Sequence, residues 1–191
     1  MKSDVIAVSS RQDCTGAVLS QAERVAAYCG MSHKSALHLR LLAEEMMNLM
    51  RAITGDVDGA FWIENEGEQY ELHLRVNTVV DFYKREQLLS ASTSGKNEAD
   101  RGLTGMLRSF FEPVEGAPMV LGFNPDGTGA DMVWTLRAYQ QQVAQALQQE
   151  QAGAAEKWDE LEKSVVSHLA DEVKVSIRSR KVEMVVYKKL T

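Results

Sequence analysis

The sequence predicts an α/β (α+β) two-layer sandwich, a mixed, mostly antiparallel sheet with its helices on one face. Three stretches carry that expectation. Tyr70, Leu72, Leu74 and Val76 alternate with Gln69, Glu71, His73 and Arg75, which gives a strand one buried and one wet face. Leu39, Leu42, Met46, Leu49, Met50 and Ile53 recur at three- and four-residue spacing, an apolar stripe wide enough to lie on a sheet. Val173, Val175 and Ile177, then Val182, Met184 and Val186, alternate again near the end of the sequence as a hairpin with a polar turn at Ser179. Strands with one wet face and helices with one apolar face bury each other in two layers.

A chain of 191 residues, 45% of them hydrophobic, has enough apolar surface for one substantial core, so a single domain over 1–191 is expected. Charged residues make up 25%, the net charge is -6 and there is no long basic run, which argues against nucleic acid as a partner because phosphate binding draws on clustered Lys and Arg. Cys14 and Cys29 are too few for a disulfide scaffold, and His33, His38, His73 and His168 stand at no zinc-binding spacing. The stretch MKSDVIAVSS has too short an apolar run for a signal peptide, and no segment approaches the span of about 20 apolar residues that a bilayer requires. The expectation is a soluble, reduced, cytoplasmic protein with no membrane association.

In chain order, Val5 to Val8 reads as a short strand. Gly16 to Cys29 places Val18, Leu19, Ala22, Val25, Ala26 and Cys29 on one side and stops at Gly30, an amphipathic helix closed by a glycine. The central helix runs from Ser32 to Ile53, with Ser32 positioned to accept an orphan amide at its start and Gly55 to end it. The tight link between the two makes them antiparallel neighbours. Past Gly59 the period drops to two: Phe61 and Ile63 alternate with Trp62 and Glu64, and Asn65-Glu66-Gly67-Glu68 turns the chain into the strand of Tyr70 to Val76. His73 falls on the wet face of that strand and reads as a solvated histidine, since no second ligand stands at a metal spacing.

Lys84 to Leu89 and Asp100 to Phe111 read as helices around a polar loop, Ser90 to Asn97. Gly122 to Gly129 reads as a surface loop with the Asn-Pro and Asp-Gly pairs of a turn. Asp131 then caps a long helix to Gln151, whose narrow seam of Met132, Leu136, Tyr139, Val143 and Ala146 or Leu147 packs on a single neighbour, either its own domain or another chain. After Gly153 one further helix carries Trp158, Leu161, Val165 and Leu169 on one face.

The central helix also holds the chemistry. Glu44 and Asn48, four residues apart, project one turn above each other from a face beside the apolar stripe. A carboxylate there can orient or deprotonate a hydroxyl, and a carboxamide oxygen can help hold a hard cation such as Mg2+. The plain alternative is a solvated helix face that happens to carry both.

Two stretches, LRLLAEEMMNLMRAI and LEKSVVSHLADEVKVSIRSRKVEMVVYKKL, resemble the histidine-kinase-like ATPase superfamily (Bergerat fold), and within it the anti-sigma-factor serine kinase branch. The first is similar to that family's N box, the second to its last helix and final two strands. The resemblance implies ATP and Mg2+ as cofactors, with Glu44 as the general base and Asn48 as the Mg2+ ligand. It places an adenine-reading Asp where this chain has Asn77, with Asp81 four residues on and no glycine between them. Two alternatives fit the resemblance: Gly102 and Gly105 as the second glycine box ahead of a helix, with the rest as an insertion, or Asp126-Gly127-Thr128-Gly129 as a displaced first box. Ahead of the last helix the family's glycines are replaced by Glu156 to Glu162, acidic where a phosphate would sit.

The resemblance thus implies a cytoplasmic ATP-binding regulatory protein, a protein serine kinase or an ATPase. Its partner would be a protein, a sigma factor or an anti-anti-sigma-like regulator, with a homodimer left open. The rival reading is a non-catalytic interaction module that kept the scaffold and lost the nucleotide. A lid-like insertion at about 90–155, longer than the family's usual lid, is where a partner contact is expected.

Overall fold

A strand that ends in a two-residue turn must pair antiparallel with the next, and the tight turn at Gly67 shows this locally. Gly67 has φ 59, a left-handed conformation that glycine adopts without strain. It joins β2 (Asp58–Glu66) to β3 (Gln69–Asn77), with Glu66 opposite Gln69. The computed structural model describes residues 1–9, 14–54, 58–77, 120–123, 130–178 and 181–190, with 52–54, 120–123, 130–132 and 178 as backbone alone. The remaining strands are β1 (Ile6–Ser9), β4 (Val120–Phe123), β5 (Ala130–Thr135), β6 (Glu172–Arg178) and β7 (Lys181–Lys189). All seven form one sheet in the order β1-β2-β3-β7-β6-β5-β4, and every neighbouring pair is antiparallel.

The helices are α1 (Thr15–Tyr28), α2 (His33–Thr54), α3 (Leu136–Gln148), α4 (Ala154–Lys163) and α5 (Val165–Leu169). Ser32 caps α2 as expected, its hydroxyl oxygen accepting from the Ser35 amide at 3.2 Å. The apolar stripe of α2 is core: Leu39, Leu42, Met46, Leu49 and Met50 are all buried, and Ile53 lies among the residues described as backbone alone. The sheet meets them with two rows of side chains in register, Phe61-Leu74-Met184-Val175 and Ile63-Leu72-Val186-Val173. Each of these is buried, worth about 1.5–3 kcal/mol per large side chain removed from water. The two-layer sandwich with helices on one face is therefore the observed fold.

Several expectations need correction. Asp131 does not cap a helix; it lies in β5 opposite Gly122, and α3 starts five residues later, where the Thr135 hydroxyl accepts from the Ala138 amide at 3.3 Å. Gly122 and Phe123, read as loop, pair in β4. The single helix expected to carry Trp158 and Val165 on one face is broken at Ser164, whose backbone is extended and whose hydroxyl caps a new helix starting at Val165 by accepting from the Ser167 amide. That break changes the phase, so Val166 and Leu161 are buried while Trp158 and Val165 stay exposed. The expected helices Lys84 to Leu89 and Asp100 to Phe111 lie outside the described residues.

Three residues of the α3 seam, Leu136, Tyr139 and Val143, pack within the chain, while Met132 belongs to β5 and Ala146 and Leu147 are only partly buried. Leu136 and Val143 are buried, Tyr139 tilts against Trp134 with ring centroids 6.3 Å apart, and α3 packs on α4, β5 and β6. Burial, with Glu160 nearby, pushes the Tyr139 phenol up to about 12.

Candidate functional site

Glu44 and Asn48 occupy the side of α2 that the core does not use. Their neighbours Ala43, Met46, Met47, Leu49 and Met50 are buried, whereas Glu44 is half-buried and Asn48 is exposed. A carboxylate and a carboxamide one helical turn apart are about 5–6 Å from each other at Cβ, a span that a cation-bound phosphate or a hydroxyl can bridge. Between them and the core stands Glu45, also half-buried. Its carboxyl is held above the usual carboxylate range, first by burial and then by the charge of Glu44. The helix therefore collects acidity at its middle, on a rigid element clamped by α1 on one side and by α5 on another.

The other candidate residues are not all assembled there. Asn77 is the last residue of β3, exposed and opposite Lys181 of β7. Asp81, Gly102 and Gly105 lie outside the described residues, as does Asp126-Gly127-Thr128-Gly129. Ahead of α4, Gly153 takes φ 79 and Glu156 sits in the first helical turn, so a carboxylate occupies the place where free amides would favour an anion. Farther along the same helix the Trp158 indole N–H donates to Glu162 at 2.9 Å and Lys163 pairs with Asp159, which makes this stretch a self-satisfied exposed face.

Mg2+ keeps several waters and takes only one or two protein oxygens alongside substrate phosphates, so Asn48 with Glu44 nearby fits it without a dedicated cage. Among the described residues no group of three or more His, Cys, Asp or Glu is placed to hold a metal by itself. A cleft of about 230 Å³ lies elsewhere, between α3 and α4, lined by Tyr139, Val143, Gln142, Gln149, Ala154 and Lys157. None of its residues belongs to α2.

The expectation for His73 is corrected. Its side chain is only 13% exposed, and its ring stacks on Trp62. Strand alternation identifies the face a residue occupies, but cross-strand stacking on that face leaves no trace in a single strand's pattern. Among the described residues no helix is long and apolar enough to cross a membrane. Comparison with protein-family models, with curated proteins and with solved structures finds no match to this chain.

Proposed function

We propose that the chain is a cytoplasmic regulatory protein of the ATP-binding type, similar in its working parts to anti-sigma-factor serine kinases. The observation that carries this reading is the placement of Glu44 and Asn48 one turn apart on the solvent-facing side of α2, a side that Lys34, Leu37 and Arg40 continue towards the start of the helix. Bound Mg2+-ATP would supply the phosphoryl group and neutralise its charge. Asn48 offers an amide oxygen to the cation, and Glu44 accepts the proton of a serine hydroxyl on a protein substrate. Sigma factors and anti-anti-sigma-like regulators are the partner classes that this reading names, and an ATPase or a homodimer falls within it. Calorimetry with ATP and Mg2+ tests it: the unmutated chain binds, Asn48→Ala loses the Mg2+-dependent part, and Glu44→Gln binds but transfers no phosphate. Absence of any ATP affinity in the unmutated chain ends the catalytic version.

A second reading, an interaction module without nucleotide, is favoured by Glu156 in the first turn of α4 and by Asn77 where the resemblance calls for an Asp. One scaffold supports both, because fold does not determine function. On this reading neither Asn48→Ala nor Glu44→Gln changes partner binding.

A further inference from the structure

The sheet face turned away from the helices carries an arrangement that the candidate site does not use. His73 stands between Trp62 of β2 and Val185 of β7. Its imidazole lies on the indole with centroids 4.8 Å apart and planes 5° from parallel. Both ring nitrogens are shut off from solvent, and neither has a hydrogen-bond partner. Each nevertheless has a carboxylate close by: Nε2 is 3.4 Å from Glu71 Oε2, and Nδ1 is 3.8 Å from Glu183 Oε1.

Neutral imidazole carries one N–H and so serves at most one of the two carboxylates, whereas the imidazolium ion carries an N–H on each nitrogen. The charges around the ring lean the same way. Lys2 pairs with Glu64 at 2.9 Å, Arg75 pairs with Glu183 at 3.1 Å, and among the described residues the ion-pair partner of Glu71 is His73. Two fixed cations thus face three carboxylates, and a proton on His73 balances them. Tyr187 adds no charge, because burial followed by Glu71, Glu183 and Glu172 holds its phenol above the ordinary value. Val185 is apolar, and Lys174 and Glu172 of β6 lie one strand beyond. Trp62 already has Lys2 at 4.9 Å and Arg75 at 5.2 Å from its ring centre, so its π face is set among cations.

We propose that His73 is a proton-operated clasp on the outer face of the sheet. On taking up a proton it bridges Glu71 of its own strand to Glu183 of β7 and holds the Trp62 ring as a cation. The clasp closes on acidification; histidine in general is the side chain whose charge changes between about pH 5 and pH 8. The β2-β3-β7 part of the sheet is then tighter in mildly acidic solution than in alkaline solution.

The test is a titration of the full chain over that range, followed by tryptophan emission, by thermal melting and by nitrogen NMR of the imidazoles. Acidification is expected to quench emission in one step. That step is lost in Trp62→Phe, which separates it from Trp134 and Trp158, and in His73→Gln. The melting temperature of the unmutated chain should rise relative to His73→Gln as pH falls, and Glu183→Gln should shrink the rise. The NMR spectrum should show both His73 nitrogens protonated, with their protons slow to exchange. An identical quench in His73→Gln, or a His73 ring that stays neutral at the acid end while the protein remains folded, overturns the proposal. Should His73→Gln fail to fold, the nitrogen titration of the unmutated chain decides alone.

Discussion

Leu74 of β3 faces Met184 of β7 across the middle of the sheet, and both side chains are wholly buried under α2. They sit at the centre of a row that runs through four strands, so a void there has no loop beside it into which the structure could relax. Leu74→Ala and Met184→Ala should each cost about 2–5 kcal/mol, the range for large-to-small changes in a close-packed core. Denaturant midpoints measure this. Because the two residues touch the same row, the double variant should fall short of the sum.

Gly59 makes a sharper case of packing. It lies opposite Val76 in the β2–β3 ladder, and a Cβ added to it would come within 2.0 Å of the Arg75 carbonyl oxygen and 2.8 Å of the Val76 Cα. Both are backbone atoms, which cannot rotate away. Gly59→Ala should therefore destabilise by at least the 1–3 kcal/mol or so that overpacking costs, and it should splay this end of the hairpin. Hydrogen exchange at the Gly59 end, compared with the Gly67 end, checks where the damage lies.

The break at Ser164 gives a paired test. Val166 is buried and Val165 is 41% exposed, the reverse of what one unbroken helix would produce. Val166→Ala should cost about 2 kcal/mol and Val165→Ala less than about 0.5 kcal/mol. Equal effects would show that the helix does not restart at Ser164.

These residues also show what the sequence revealed and what it hid. The α2 stripe and the two hairpins were legible because burial on one face imposes a period of 3.6 or 2 on the residues themselves. The Ser164 break was hidden, since a serine between two helical patterns reads as well within a helix as at a cap. Asp131 misled for a related reason: aspartate is a favoured cap, but Met132 to Thr135 also suit a strand, and pairing with β6 decided between them. At the candidate site, the helix face shared by Glu44 and Asn48 was legible from their spacing. The raised carboxyl of Glu45 was not, because it depends on burial.

Asp171, just ahead of β6, predicts an acid limb in the stability curve. Partial burial works to raise its carboxyl, but the Lys188 side chain at 2.9 Å and the Lys189 amide at 2.6 Å outweigh burial and hold it below the usual value. A carboxyl depressed in the folded state stabilises above its unfolded value, and that contribution is lost as pH falls through the folded value. The side chain is 46% exposed, so solvent screening keeps the contribution below about 1 kcal/mol. Asp171→Asn should lower the denaturation midpoint at neutral pH, and the two curves should converge well below pH 4 or so.

Glu45 predicts the opposite sign, and it does so beside the candidate site. Its carboxyl is raised by burial and then by Glu44, so the folded state resists its ionisation. Stability linked to the protonated form is complete below the ordinary carboxylate value and is lost as pH rises through the higher folded value. Glu45→Gln removes that loss, so at neutral pH the variant should be more stable than the unmutated chain, with the difference vanishing in acid. The same charge can serve a cation: with Glu44 and Glu45 both ionised, α2 presents two negative charges one turn from Asn48. If Mg2+ or a Mg2+-bearing ligand settles there, it should lower the Glu45 carboxyl and stabilise the unmutated chain more than Glu45→Gln. Melting curves of both proteins with and without Mg2+-ATP measure the difference, and equal shifts would separate the acidity of α2 from any ligand at Asn48.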